Sequence, residues 1–241
     1  LEARFRHQSI SAASPIAGER VIGWTAHYLI GIAFAFVLLA IWGMDWIDGP
    51  ADPDNDGFVE YARASPIGLV HQGWKDSNDS VFHADGRLAE GPIALCEIQA
   101  YAIAARLAAA DLADALGMSE RSAPLRARAE ELRMRFEDAF WDEELGRYGI
   151  ALDGDKELCR VRTSNRGHCL WTGVPSADRA RRVADELLSD AMHSGWGIRT
   201  VAAGQARYNP MSYHNGSIWP HDNALAALGM SRYGLVDAAT R

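Results

Sequence analysis

From Pro92 to Leu116 apolar residues, mostly alanine and leucine, recur at three- and four-residue spacing, which predicts a long helix with Pro92 in its first turn and Gly117 at its stop. From Ala123 to Phe140 the positions Leu125, Ala129, Leu132, Phe136 and Phe140 keep that spacing while Arg and Glu fill the other face. That pattern predicts an outer, half-exposed helix. Between Trp141 and Arg162 glycines and alternating apolar residues, clearest from Arg147 to Asp155, predict a short hairpin. Helices are predicted again over His168–Thr172, Ala177–Ser189 and Trp219–Met230. Far upstream, Tyr28 to Met44 runs without a charge. It is read as a buried helix rather than a membrane span, because Asp45 and Asp48 follow at once and no Lys/Arg cluster marks a flank.

The predicted helices alternate between apolar-rich and charged-faced, and the polar-aromatic blocks fall in the loops between them. A ring of paired helices with a site at one end has this organisation. The absence of βαβ alternation excludes Rossmann and TIM-barrel readings. The expected fold is therefore all-α with one short β-hairpin, and residues 1–241 are taken as a single domain. Residues 1–27 show no clear period.

Composition narrows the partners. A hydrophobic fraction of 48% is ample for a packed core, and a net charge of -8 without a Lys/Arg block excludes a nucleic-acid surface. A neutral, polyhydroxylated ligand fits better. Cys96, Cys159 and Cys169 have neither CxxC nor metal-ligand spacing, so no disulfide framework is expected and a reducing cytoplasm is the default compartment. The chain lacks an initiator methionine and a signal segment, and is read as cut from something longer.

The densest chemistry lies in Tyr213-His214-Asn215-Gly216-Ser217-Ile218-Trp219-Pro220-His221-Asp222-Asn223. Sugar hydroxyls need amide, carboxylate and imidazole partners, and the C–H face of a sugar needs an aromatic surface. This block offers both. A plainer reading is a helix start, with Pro220 in the first turn and Ser217 as cap. Three further blocks repeat the theme of an aromatic and a hydrogen-bonding residue near glycine: His71 to Ser80, containing Gly73-Trp74-Lys75-Asp76-Ser77; Ser164 to Trp171, with His168; and Ser194 to Arg199, with Trp196. About half of Trp74, Trp171, Trp196 and Trp219 are expected to face sugar. Asp76, beside a tryptophan face, suits a general acid kept protonated by an apolar wall, though an N-cap aspartate would read the same.

The ordered motifs Gly-Trp-Lys-Asp-Ser, Ser-Asn-x-Gly-His-x-Leu-Trp, Ser-Gly-Trp-Gly-Ile-Arg-Thr and Tyr-His-Asn-Gly-Ser-x-Trp-Pro-His-Asp-Asn resemble bacterial amylo-alpha-1,6-glucosidase or glycogen-debranching-type proteins. That family sits with glucoamylase, trehalase and mannosylglycerate hydrolase among the (α/α)6 barrels. The resemblance runs from about Trp42 to the end; residues 1–40 do not follow it. It implies a partial (α/α)6 barrel, since a full ring would need more helices than the roughly six or seven predicted here. It implies a glycosidase, inverting, on terminal α-glucosidic linkages of glycogen-like or small glucosides. Asp76 would be the general acid, with Gln72, Trp74, Lys75 and Asp79 lining its pocket. Tyr213, His214, Asn215, Trp219, His221 and Asp222 would form the glycone wall, and Glu97 and Gln99 would point into the barrel. The general base, a glutamate in this family, is expected downstream of Arg241. No cofactor is required. Other functions stay open: a carbohydrate-binding or catalytically incomplete fragment, a phosphorylase on the same barrel, or a membrane-anchored protein.

One loop is separate from these motifs. Asp52, Asp54, Asp56 and Glu60 alternate around Gly57 like the start of a calcium loop, but Arg63 stands where an EF-hand places its bidentate glutamate. A structural calcium, such as some relatives bind at a similar loop, and a metal-free acidic turn both remain open.

Overall fold

The computed structural model describes residues 52 and 54–241. The chain divides at Pro50 into two units, and this description concerns the second, Ala51–Arg241. The predicted apolar helix Tyr28–Met44 lies outside the described residues. Among those described, no helix is long and apolar enough to cross a membrane.

Six helices and four two-residue strands make up this unit: β1 Ala94–Leu95, α1 Cys96–Ala115, α2 Ser119–Ala139, β2 Trp141–Asp142, β3 Arg147–Tyr148, β4 Ala151–Leu152, α3 Asn165–Thr172, α4 Ala177–Leu187, α5 Pro220–Arg232 and α6 Val236–Ala239. Helices pack as sequence neighbours, α1 with α2, α3 with α4 and α5 with α6, while α3 also touches both α1 and α5. The mostly helical class with small antiparallel sheets matches the expectation.

Three boundaries differ from the sequence reading. Pro92 is not in the first turn of α1, because Ala94 and Leu95 instead pair antiparallel with Leu152 and Ala151. The apolar run ahead of the helix thus forms a buried strand, which periodicity alone does not separate from a buried helical turn. The predicted hairpin is split: Trp141–Asp142 pairs with Arg147–Tyr148, whereas β4 turns away to β1. Helix α2 begins at Ser119, ahead of the predicted Ala123, and Pro124 lies near its start. The predicted stop at Gly117 holds: its φ is 72°, and its N–H reaches the Asp114 carbonyl at 3.0 Å.

The core is continuous across the helix pairs. Phe136 stacks on both Phe140 and Tyr148 at 5.0 Å, and Trp141 meets Tyr148 edge-on at 4.8 Å. Arg179 lies 4.4 Å over the Trp141 ring and so covers the outer side of this aromatic cluster. Where α3 meets α5, Gly167, Ala226 and Gly229 are all buried and leave room for the two backbones to approach. All three cysteines are free and buried.

Candidate active site

Helices α1, α3 and α5 each contribute side chains from their first turns to one cluster. Glu97 enters from α1, Asn165 and His168 from α3, and His221 and Asp222 from α5. Asn165 Nδ2 donates to Glu97 Oε1 at 2.9 Å, and His168 Nε2 bonds Asp222 Oδ1 at 2.7 Å. The other imidazole nitrogen, Nδ1, bonds the Tyr101 hydroxyl, one turn beyond Glu97 on α1. Buried carboxylates at helix N-termini sit where unpaired N–H groups and the helix dipole favour negative charge. Burial nonetheless pushes the Glu97 carboxyl above its usual range, with His168, Asn165 and Lys75 opposing the shift.

Pro220 is the first residue of α5, as expected, but Ser217 does not cap it. Its hydroxyl donates to the Tyr213 carbonyl at 2.5 Å, and Trp219 holds the N-cap position without a side-chain capping bond, its indole N–H donating to the same carbonyl at 2.8 Å. The segment before α5 is therefore a hydrogen-bonded turn, not a capping motif.

Trp74 is the hub. Its ring stacks on His168 at 5.6 Å with the planes 13° apart, and meets His214, Trp219 and His221 edge-on at 5.5, 6.2 and 4.9 Å. The loop that carries it is held from both sides. Lys75 Nζ donates to the Thr200 carbonyl at 2.5 Å, and Thr200 Oγ1 accepts from Gly216 N–H at 2.9 Å. Asn215 Nδ2 donates to the Asp79 carbonyl at 3.0 Å, and the Ser77 hydroxyl lies 2.8 Å from His214 Nδ1. Burial lowers the His214 pKa, against the pull of Asp76, so its neutral ring can accept from Ser77.

Asp76 sits at the rim of this cluster, with its side chain 53% exposed and its Oδ1 3.8 Å from His214 Nδ1. No helix begins at Asp76, so it is not an N-cap, and its exposure leaves no apolar wall over the carboxyl.

Lys75 is buried, and desolvation pulls its ammonium down to about 8, although Asp222 and Glu97 favour the charge. Below about 8 the folded and unfolded chains both hold this proton, so the burial cost is fully present. Between about 8 and 10.5 only the unfolded chain keeps it, so stability rises with pH. The stability of the wild type relative to Lys75→Met is expected to rise by about 2 kcal/mol between pH 7 and about 9.5 in denaturant titrations. A flat difference would contradict this.

The remaining expected site residues are distributed unevenly. Trp171 is 41% exposed and meets Tyr101 edge-on at 5.9 Å, at the edge of the cluster. Tyr213, also exposed, contacts Trp219 and His214 at 4.8 and 4.6 Å. Gln99 is turned elsewhere: its amide exchanges bonds with Val59 N–H and C=O at 2.8 and 2.7 Å. Gln72 is exposed and donates to the Ala62 carbonyl. Trp196 is 93% exposed on its turn, and Arg199 reaches the Asp190 carbonyl. Asp79 takes part through its backbone carbonyl.

Tyr101 lies outside the sequence motifs, and Asn165 and Thr200 stand within them without an assigned role. Tyr101 follows Glu97 by one helical turn, a spacing that would have placed it on the same face. Thr200 meets Lys75 through its carbonyl and Gly216 through its hydroxyl, pairings with distant segments that local sequence does not signal.

Several buried polar atoms around Trp74 have no hydrogen-bond partner among the described residues: Trp74 Nε1, Asn165 Oδ1, Asn215 Oδ1 and Asp222 Oδ2. Buried groups of this kind are costly unless something meets them. Together they offer one donor and three acceptors, a set suited to hydroxyl groups.

The sequence model of the mannosylglycerate hydrolase MGH1-like glycoside hydrolase domain matches residues 44–241. The chain belongs to this family. Residues 1–55 match a different one, a protein of unknown function (DUF2938). Among curated proteins none matches. Solved structures similar to the chain include a GH63 mannosylglycerate hydrolase from Thermus thermophilus in complex with glucose, with 23% identity and a TM-score of 0.52 over 62% of this chain and 37% of that one. Neutral trehalase Nth1 from Saccharomyces cerevisiae has 15% identity and a TM-score of 0.53 over 67% of this chain and 32% of that one. A sialidase reaches a TM-score of 0.58 at 17% identity, over 70% of this chain and 16% of that one. The chain thus spans roughly a third of the hydrolase and trehalase lengths. The solved structures show a likeness of fold, the family model shows a glycoside hydrolase domain, and the debranching specificity inferred from the motifs is finer than either reaches.

Proposed function

We propose that residues 52–241 form part of an (α/α)6 barrel in a glycosidase that hydrolyses terminal α-glucosidic linkages with inversion. In this reading α1, α3 and α5 are inner helices, and α2, α4 and α6 lie outside them. The observation that carries the proposal is the juxtaposition of an accessible carboxyl, Asp76, with a Trp74-centred cluster whose buried donor and acceptors lack partners. A glucosyl unit would lay its C–H face on an indole and present hydroxyls to Asp222, Asn165 and Asn215.

Asp76 would protonate the departing glycosidic oxygen as the bond to the anomeric carbon lengthens. The exposure of the carboxyl leaves it within reach of a substrate entering at the rim. In a single displacement a second carboxylate activates water on the opposite face of the sugar. The fold around Asp76 serves positioning: Lys75 anchors one side of the loop to Thr200, and Asn215 and His214 hold the other.

The test is hydrolysis by the whole protein of an α-glucoside, followed by proton NMR of the first product. The β-anomer of glucose, released without dependence on phosphate, is expected. The α-anomer would contradict inversion, phosphate dependence would point to a phosphorylase, and binding of glucose without turnover would leave a carbohydrate-binding domain.

A further inference from the structure

The loop Asp52–Glu60 is shaped like a cation site, and the chain fills it with its own ammonium. Lys156 Nζ lies 2.7 Å from Asp54 Oδ2 and 2.6 Å from Asp56 Oδ2, and also bonds Glu60 Oε1. Three ammonium protons meet three carboxylates, matching donor to acceptor in number. Lys156 comes from the turn after β4, roughly a hundred residues along the chain, where it holds a left-handed φ of 62°. Although partial burial opposes its charge, the hydrogen bonds it donates to Asp54, Asp56 and Glu60 carry its pKa above the ordinary lysine range.

The remaining oxygens are also taken up by the chain. Asp52 accepts the N–H groups of Asp56 and Gly57 at 3.0 and 2.9 Å, and Asp56 Oδ1 accepts that of Phe58 at 2.8 Å. A second cation packs on the loop, because Arg135 donates to the Asp56 carbonyl at 2.6 Å and lies directly over Gly57. Within this loop, Glu60 Oε2 is a buried carboxylate oxygen without a partner among the described residues. Calcium needs six to eight oxygens at about 2.3–2.6 Å, and would have to stand where Lys156 Nζ now stands. The two occupants exclude each other.

We propose that Lys156 is the resident cation of this loop, in the position a calcium ion would take, so that the loop is ordered without metal. Its role is to tie the segment leading into Tyr61 to the β4 turn. That segment continues to the pocket, since Gln99 holds Val59 and the Tyr61 hydroxyl bonds His71 at 3.1 Å.

Thermal unfolding of the full chain in EDTA and in millimolar calcium tests this directly. The wild type should melt at the same temperature in both, within about 1 °C. Lys156→Met should melt about 3–6 °C lower in EDTA and recover at least half of that loss in calcium, because the freed carboxylates then accept the ion. A calcium-dependent rise in the wild type, an unchanged Lys156→Met protein in EDTA, or a lowered variant that calcium does not rescue would each overturn the proposal. Should Lys156→Met not fold, calorimetric titration of the wild type with calcium decides alone. No binding heat supports the lysine as occupant, and stoichiometric micromolar binding refutes it.

Discussion

Asp76→Asn is expected to lower kcat of the whole protein on alkyl α-glucosides by about 10³-fold, the usual scale for loss of a positioned general acid. Stability should hardly change. The side chain is half exposed and lies 3.8 Å from the neutral His214 ring, so the amide loses no buried ion-pair partner. The melting temperature should therefore stay within about 2 °C of the wild type. The substrate KM should also move little if, as proposed, binding rests on Trp74, Asp222 and the two asparagines rather than on the rim carboxyl. Activity within a few-fold of wild type would remove Asp76 from the chemistry.

Gly229→Val is expected to cause the largest loss of stability. A Cβ at this position would lie 2.5 Å from the Trp171 backbone nitrogen and 2.6 Å from Leu170 Cβ, and backbone cannot rotate out of the way as a side chain can. The gain in helix propensity over glycine is under about 1 kcal/mol. Forcing α3 and α5 apart costs about 3 kcal/mol or more, and so should lower the melting temperature by about 6–12 °C. Because α3 carries His168 and α5 carries Asp222, the same shift should stretch the bond between them and reduce activity. Gly234→Ala makes the control: its φ is 72° but nothing lies within 4 Å of the added Cβ. It should cost only the left-handed penalty of about 1–2 kcal/mol. Equal losses in the two variants would refute the close-packing explanation.

How much of this was legible in the sequence depends on the range of the interaction. Helix α2 announces itself through apolar positions three and four apart and α1 through its alanine-rich composition, and Gly117 and Pro220 mark real boundaries. The gathering of aromatic and imidazole residues around Trp74 has a signal in the motifs, because a packed core has no use for so many polar side chains. Pairings between distant segments were not visible. Nothing in the local pattern tells Ala94–Leu95 to pair with Ala151–Leu152 rather than extend α1, since a short apolar run suits either. Gln99 and Glu97 sit two residues apart on one helix, yet Glu97 meets Asn165 while Gln99 holds Val59. Residues two apart on a helix face different directions, and which neighbour each finds is a tertiary property. Lys156 is the clearest case: the acidic loop leaves a calcium site and a metal-free turn both open, and the lysine that bonds its carboxylates comes from a distant turn.

The central claim is that Asp76 donates the proton to the leaving group, and leaving-group dependence in Asp76→Asn tests it most directly. Fluoride departs without needing a proton, whereas an alkoxide does not. The variant should hydrolyse α-glucosyl fluoride within about tenfold of the wild-type rate while losing about 10³-fold on an alkyl α-glucoside. An equal loss on both substrates would show that Asp76 shapes the pocket or binds the sugar, and would contradict its assignment as the acid.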